Sequence, residues 1–262
     1  MRILLTNDDG IFAPGLTAMH RALLELGTVD VVAPATVQSG MGHGITIHEP
    51  ITAEKVALDK SVGYSVRGKP ADCVKIAMTD LLESPPDLVV SGINDGANAS
   101  VNVIYSGTVA GACEGAMLGF PAIAVSMKQG PARDFKSAAE IALRLIRSLL
   151  ELGLSRKQLI NVNIPDLTQG PPKGVRVVPQ ATRMMSDSFN HHAAPNGLDY
   201  YWLEGMDYDR AANPQDNDLD VMHQGYVAVT PITFDRTDYA QLKLLQEKQT
   251  LLSLDDTSAP LR

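Results

Sequence analysis

Thr6-Asn7-Asp8-Asp9-Gly10 sets two carboxylates side by side directly after a short apolar run, Ile3 to Leu5. An isolated Asp-Asp-Gly reads as a turn, because these residues tolerate the backbone that turns need. Here the run before it reads as a buried strand and Leu16 to Leu26 as a helix, so the pair falls at the carboxyl end of a strand. That is the edge where open α/β sheets bind ligands. Adjacent carboxylates repel, and a shared hard cation relieves the repulsion. We therefore assign Asp8 and Asp9 to a divalent metal, with Mg²⁺, Mn²⁺ or Ca²⁺ as the oxygen-liking choices. A bound metal acidifies water, and Asp8 or Asp9 would accept its proton; direct attack by Asp8 is the alternative.

Two further segments point to the same edge. Ser91-Gly92-Ile93-Asn94-Asp95-Gly96-Ala97-Asn98 follows the apolar run Leu88-Val89-Val90, and Asn94 offers a neutral oxygen ligand or a donor to an anion. Tyr105-Ser106-Gly107-Thr108-Val109 opens a helix whose first N–H groups lack intrahelical partners. Ordinary capping explains a lone Ser-Gly-Thr equally well. Beside a carboxylate pair it describes a phosphate site held by backbone and dipole.

Competing motifs fail on their own residues. Gly63 to Lys69 matches a P-loop until Pro70 replaces the hydroxyl that would hold Mg²⁺. Gly40-Met-Gly42-His-Gly44 resembles a dinucleotide fingerprint, yet β-branched Ile45-Thr46-Ile47 follows where a helix should begin. The histidines show no zinc-like spacing. His43, close to Ser39 in one loop, is the single candidate for an auxiliary acid.

The elements that position these residues alternate. Ile3 to Leu5, Val29 to Ala33, Leu88 to Val90, Ala122 to Val125 and Leu159 to Ile164 read as strands. Between them, helices are expected at Leu16 to Leu26, at Pro70 to Leu82, from Gly107, and at about Ser137 to Leu152. Strands apolar throughout are covered on both faces, so the expected fold is α/β, a doubly wound, Rossmann-like, mainly parallel sheet with helices on both sides. After Pro165 the character shifts: Met184 to Asp220 is polar and lacks a sustained period, Tyr226 to Thr230 reads as a strand, and Asp238 to Leu252 as a helix with Leu242, Leu245, Leu251 and Leu252. Residues 1–165 are thus taken as the metal- and phosphate-binding core and 166–262 as an extension completing the same domain. The terminal leucine face, arriving after the sheet is complete, suggests a homodimer or homotetramer.

Composition narrows the partners. The chain has 262 residues, 45% hydrophobic and 20% charged, with a formal net charge of −8. No basic run is present to neutralise phosphates, which argues against duplex nucleic acid or an anionic membrane as partner. Val103 to Met127 carries only Glu114, but Gly107, Gly111, Gly115, Gly119 and Pro121 break it as a span. Cys73 and Cys113 read as buried thiols, and without an export-like leader a cytoplasmic location is expected.

Asn7-Asp8-Asp9-Gly10, Ala13-Pro14-Gly15, Ser39-Gly40, Pro70-Ala-Asp72-Cys73-Val74, Ser91-Gly-Ile-Asn94, Tyr105-Ser-Gly-Thr-Val109, Asn161-Val-Asn-Ile-Pro165 and Gly225-Tyr-Val together resemble the signature of the SurE survival-protein family, from Met1 to about Pro231. The resemblance implies a divalent-metal-dependent hydrolase acting on nucleoside 5′- and 3′-monophosphates, an acid phosphatase in some members. It implies one metal per subunit on Asp8, Asp9, Ser39 and Asn94. Phosphate contacts fall on Asn94, Asn98, Ser106, Gly107 and Thr108, with catalysis carried by Asp8, Asp9 and Asn94. Ser39 and Asn98 enter by the resemblance alone. Lys69, Met41 to Gly44 and Asn102 depart from the family pattern around the rim. A non-catalytic sensor that binds metal and nucleotide without turnover is the other class such a site could serve.

Overall fold

The computed structural model describes residues 1–59, 61–183, 187–204 and 215–249. The first β-α-β unit is β1 (Arg2–Thr6), α1 (Pro14–Leu23) and β2 (Thr28–Pro34). Pro14 at the first helical position has the fixed φ a helix start needs and no N–H to leave unpaired. Next come β3 (Thr52–Ala57), which the sequence reading missed, and β4 (Val62–Arg67), where Tyr64-Ser65-Val66 alternates as a strand leading into a helix at Pro70, then α2 (Pro70–Ile76) with a π-helical turn at 77–81. The chain continues through β5 (Leu88–Asp95), α3 (Gly107–Met117), β6 (Ala122–Met127), α4 (Phe135–Glu151), β7 (Leu159–Ile164) and β8 (Val175–Val177). It closes with β9 (Ser188–Ala193), β10 (Asp199–Glu204), α5 (Asp218–His223), β11 (Val227–Ile232) and α6 (Tyr239–Glu247).

Nine strands form one sheet in the order β3-β4-β2-β1-β5-β6-β7-β11-β8. β1 lies inside it, parallel to β2 with Ile3 opposite Val29, and parallel to β5 with Thr6 opposite Ser91. From β1 the chain winds outward to β2, and from β5 the other way through β6 and β7. Such a reversal, here at the carboxyl ends of β1 and β5, is where open α/β sheets bind ligands. Alternating residues of β1 feed two cores. Ile3 and Leu5 pack with Leu16, Met19 and Leu23 of α1 and Ala142 and Ile146 of α4; Leu4 packs with Cys73 and Val74 of α2 and Val109, Ala112 and Ala116 of α3. The expected doubly wound α/β sheet is observed.

β11 pairs antiparallel with β7 and parallel with β8, so residues after Pro165 widen the same sheet. Residues 1–232 form one compact unit and Thr233–Arg262 another. The expectation of an aperiodic segment from Met184 to Asp220 is corrected. β9 and β10 form an antiparallel hairpin, with His191 stacked on Tyr201 at 5.0 Å and His192 on Tyr200 at 5.2 Å. Every residue of both strands is exposed, so neither face required the apolar alternation that marks a half-buried strand. In the second unit, α6 starts at Tyr239 with the Asp238 carboxylate accepting from the N–H groups of Ala240 and Gln241 at 3.0 Å. Leu242 and Leu245 are exposed, and Leu251 and Leu252 fall outside the described residues.

Candidate active site

The turn after β1 is shaped by Asn7. Its amide donates to the Gly10 carbonyl at 3.0 Å and its oxygen accepts the Gly10 N–H at 3.2 Å, while Gly10 takes φ +103°, a conformation suited to glycine. Asp8 is 4% exposed and Asp9 half-buried. Burial pushes the Asp8 carboxyl up to about 6; the Asp9 charge adds to this, against a lowering hydrogen bond from Thr108. Burial also raises Asp9, against the Asp95 N–H that donates to its Oδ2 at 3.1 Å. Two carboxylates are thus held near each other, short of solvent and short of positive charge.

Helix α3 meets Asp8 head-on. The Thr108 hydroxyl donates to Asp8 Oδ1. A Cβ on Gly107 would lie 2.7 Å from the Asp8 Cβ and 2.9 Å from Oδ2, so only glycine lets the helix start come this close. Ser106 caps the helix by accepting the Val109 N–H at 3.0 Å. Gly111 and Gly115 hold the rest of α3 against the sheet; a Cβ on Gly115 would meet Val89 at 2.7 Å. The Gly/Ala run that raised the membrane question is therefore a helix pressed against strands, and among the described residues no helix is long and apolar enough to cross a membrane.

Asn94 sits at the end of β5, where the β5–β6 register shifts between Ser91 and Asn94. Such a bulge re-aims the strand end. Its amide nitrogen donates to the Gly96 carbonyl at 2.7 Å, making Oδ1 the atom suited to a cation. Asn98 gives one amide N–H to Ser126 Oγ at 2.8 Å. Ser39 is exposed on the loop after β2 and is tied to the carboxylates through its neighbour: the Gln38 N–H donates to the Asp8 carbonyl at 2.7 Å. Asp8, Gly107 and Thr108 are in direct contact, Asp9 accepts the Asp95 N–H at the end of β5, Asn94 lies one residue before Asp95, and Ser39 follows the residue that bonds the Asp8 carbonyl.

The donor set suits a hard divalent cation. Asp8 and Asp9 supply carboxylate oxygens and Asn94 Oδ1 a neutral one, the donor type such a cation takes, and Ser39 would add a hydroxyl; among the described residues no three His, Cys, Asp or Glu side chains converge. Asp95 Oδ1 is buried at the same edge without a hydrogen-bond partner, a further acceptor awaiting a donor or an ion.

Residue-by-residue reading of the sequence passed over several supporting groups. Asn161 and Asn163 on β7 donate to the Asn98 carbonyl at 2.8 and 3.0 Å, and Asn163 Oδ1 accepts the Asn98 N–H at 2.8 Å. The signal was present: two asparagines two apart in a wholly buried strand share one face and need partners. Asp95, whose other carboxylate oxygen pairs with Arg133, was overlooked beside Asn94. His43, the candidate auxiliary acid of the Ser39 loop, pairs through Nε2 with Glu114 Oε2 at 2.9 Å.

Comparison with known proteins agrees with this fold. Residues 3–187 match the family model for survival protein SurE. A 5′-nucleotidase SurE from Desulfitobacterium hafniense is 47% identical over 256 residues, covering 96% of this chain and 98% of that protein. One from Heliobacterium modesticaldum is 43% identical, covering 94% and 90%. The crystal structure of SurE protein from Aquifex aeolicus superposes with a TM-score of 0.82 at 37% identity, covering 95% of this chain and all of that one. With a model match over most of its length and relatives this similar end to end, the chain belongs to the survival protein SurE family.

Proposed function

We propose that this chain is a divalent-metal-dependent phosphomonoesterase that hydrolyses nucleoside 5′- and 3′-monophosphates to nucleoside and phosphate. The observation that carries the reading is the buried Asp8–Asp9 pair, with Asp8 raised to about 6 and the start of α3 in contact with it. The name of the relatives, 5′-nucleotidase, supports hydrolysis at the 5′ position; the 3′ activity rests on the family resemblance.

Asp8, Asp9, Ser39 and Asn94 would hold one ion per subunit, Mg²⁺, Mn²⁺ or Ca²⁺, which when bound offsets phosphate charge and acidifies a water. The start of α3 at Gly107 and Thr108 offers phosphate oxygens the positive end of the helix. Asn98 offers its second amide N–H, and the Ser106 side chain fixes the turn. The Thr108 hydroxyl, committed to Asp8, orients that carboxylate. Asp8 or Asp9 accepts the proton of the attacking water as the ester bond breaks. We also place the protein in the cytoplasm, in keeping with two free buried cysteines, and as a homodimer or homotetramer, in keeping with the exposed aromatic hairpin.

The test is hydrolysis of a panel of nucleoside 5′- and 3′-monophosphates with each metal and with chelator. Wild type should turn over only with a divalent ion, and Asp8→Asn should lose about 10²-fold or more in rate. Tight nucleotide binding without turnover by wild type would instead mark a sensor, and full activity in Asp8→Asn would show the site misassigned.

A further inference from the structure

Glu114 on α3 is an unusual place for a charge. Its side chain is 3% exposed, in the middle of a helix packed on the sheet. Two cations from different elements meet it: Lys75 of α2 at 2.7 Å on Oε1 and His43 of the β2–β3 loop at 2.9 Å on Oε2. Burial by itself would raise the Glu114 carboxyl, yet these partners outweigh it and hold it below the usual range. The Cys113 sulfur and the Glu114 carboxylate, as hydrogen-bond partners, raise His43 to about 9, so the imidazole is charged at neutral pH. Desolvating this carboxylate is costly, and the two partners offset the cost, one on each oxygen.

What it holds is the loop carrying Ser39. That loop is fastened at Gln38, whose N–H reaches the Asp8 carbonyl, and at Gly42, whose N–H donates to the Tyr105 carbonyl at 2.9 Å, next to the phosphate turn. Gly40 and Gly42 take φ of +73° and +56°, so the backbone between these points depends on residues that restrain little by themselves. Beyond them, the Thr46 hydroxyl bonds Asp72 at 2.6 Å and Lys69 bonds the Ile45 carbonyl at 3.0 Å. His43 is the first residue after Ser39 whose side chain ties this loop to a helix. We propose that the His43–Glu114 pair is a latch that positions the Ser39 loop over the carboxylates, making His43 a positioning residue for the metal rather than an acid acting on substrate.

The inference rests on the metal-site reading above, and the test separates the two. Mn²⁺ alone is titrated by calorimetry into full-length wild type, His43→Ala, His43→Gln and Asp8→Asn, with thermal midpoints measured without metal. Lys75 still compensates Glu114 when His43 is lost, so His43→Ala is expected to fold with a midpoint close to wild type. Its Mn²⁺ affinity should fall about tenfold, the scale of losing a group that orients a metal ligand. kcat at saturating Mn²⁺ should largely recover, and His43→Gln, which keeps an N–H donor, should regain most of the affinity. If His43→Ala is strongly destabilised, His43→Leu, which fills the space without an N–H donor, replaces it on the same readout. Wild-type Mn²⁺ affinity in His43→Ala, with or without a fall in kcat, overturns the latch. Wild-type affinity in Asp8→Asn overturns the metal site on which it rests.

Discussion

Gly107 does its work by what it lacks. A helix interior normally gains about 1 kcal/mol when glycine becomes alanine, but here the added methyl would occupy space 2.7 Å from the Asp8 Cβ. Gly107→Ala is therefore expected to cost about 1–3 kcal/mol of stability and, if Asp8 is catalytic as proposed, about 10²-fold in kcat/KM, because a carboxylate displaced by about 1 Å forfeits its geometry. Steady-state kinetics beside a thermal melt check it. The same contact explains how Thr108 differs from its sequence reading. Spacing marked it as a helix-start hydroxyl suited to phosphate, whereas its proton goes to Asp8. Nothing in the order Ser-Gly-Thr says which neighbour the hydroxyl meets, since that neighbour lies 100 residues earlier in the chain.

At the scale of elements, the buried strands and the helices between them were legible because each is covered on both faces and keeps its apolar run intact. β3 was not, its residues being exposed or half-exposed, and neither was the β9–β10 hairpin, for the same reason. The carboxylates and the helix start were legible because they follow strands directly. The asparagines of β7 received no role on their own, since the group they grip is a main-chain carbonyl. Asn163 makes two bonds to the Asn98 backbone. Asn163→Ala leaves a buried N–H unpaired, so it should cost about 1–3 kcal/mol of stability. If Asn98 serves phosphate as proposed, KM for nucleotide should rise more than kcat falls. Denaturant unfolding and kinetics on one preparation measure both.

For the whole molecule, the site couples protons, metal and folding. Asp8 binds its proton more tightly in the folded chain than in the unfolded one. Without metal, the stability this group contributes is therefore present below its ordinary pKa and lost as pH rises from about 4 toward about 6. A cation needs the deprotonated form. The rise in melting temperature on adding Mn²⁺ should accordingly be small at pH 5 and grow through pH 7, which calorimetric scans at fixed metal concentration would reveal. Assembly is the second property at this scale. If α6 and its exposed leucines join subunits, as the sequence suggests, a chain ending before Asp238 should show a smaller mass by light scattering than the full chain, while residues 1–232, already a compact unit, remain folded.

β1 lies between two parallel neighbours, one supplied by the next β-α-β step and the other, β5, by chain some 85 residues away, as the Arg2 N–H to Asp87 bond records. Closing that long loop is a slow event of folding, because its entropy is lost before the contacts form. Until it closes, Asp8 and Asp9 have neither Asn94 nor Thr108 beside them. A bound ion should thus leave the refolding rate nearly untouched and act on the reverse step, lengthening the lifetime of the native chain rather than hastening its arrival.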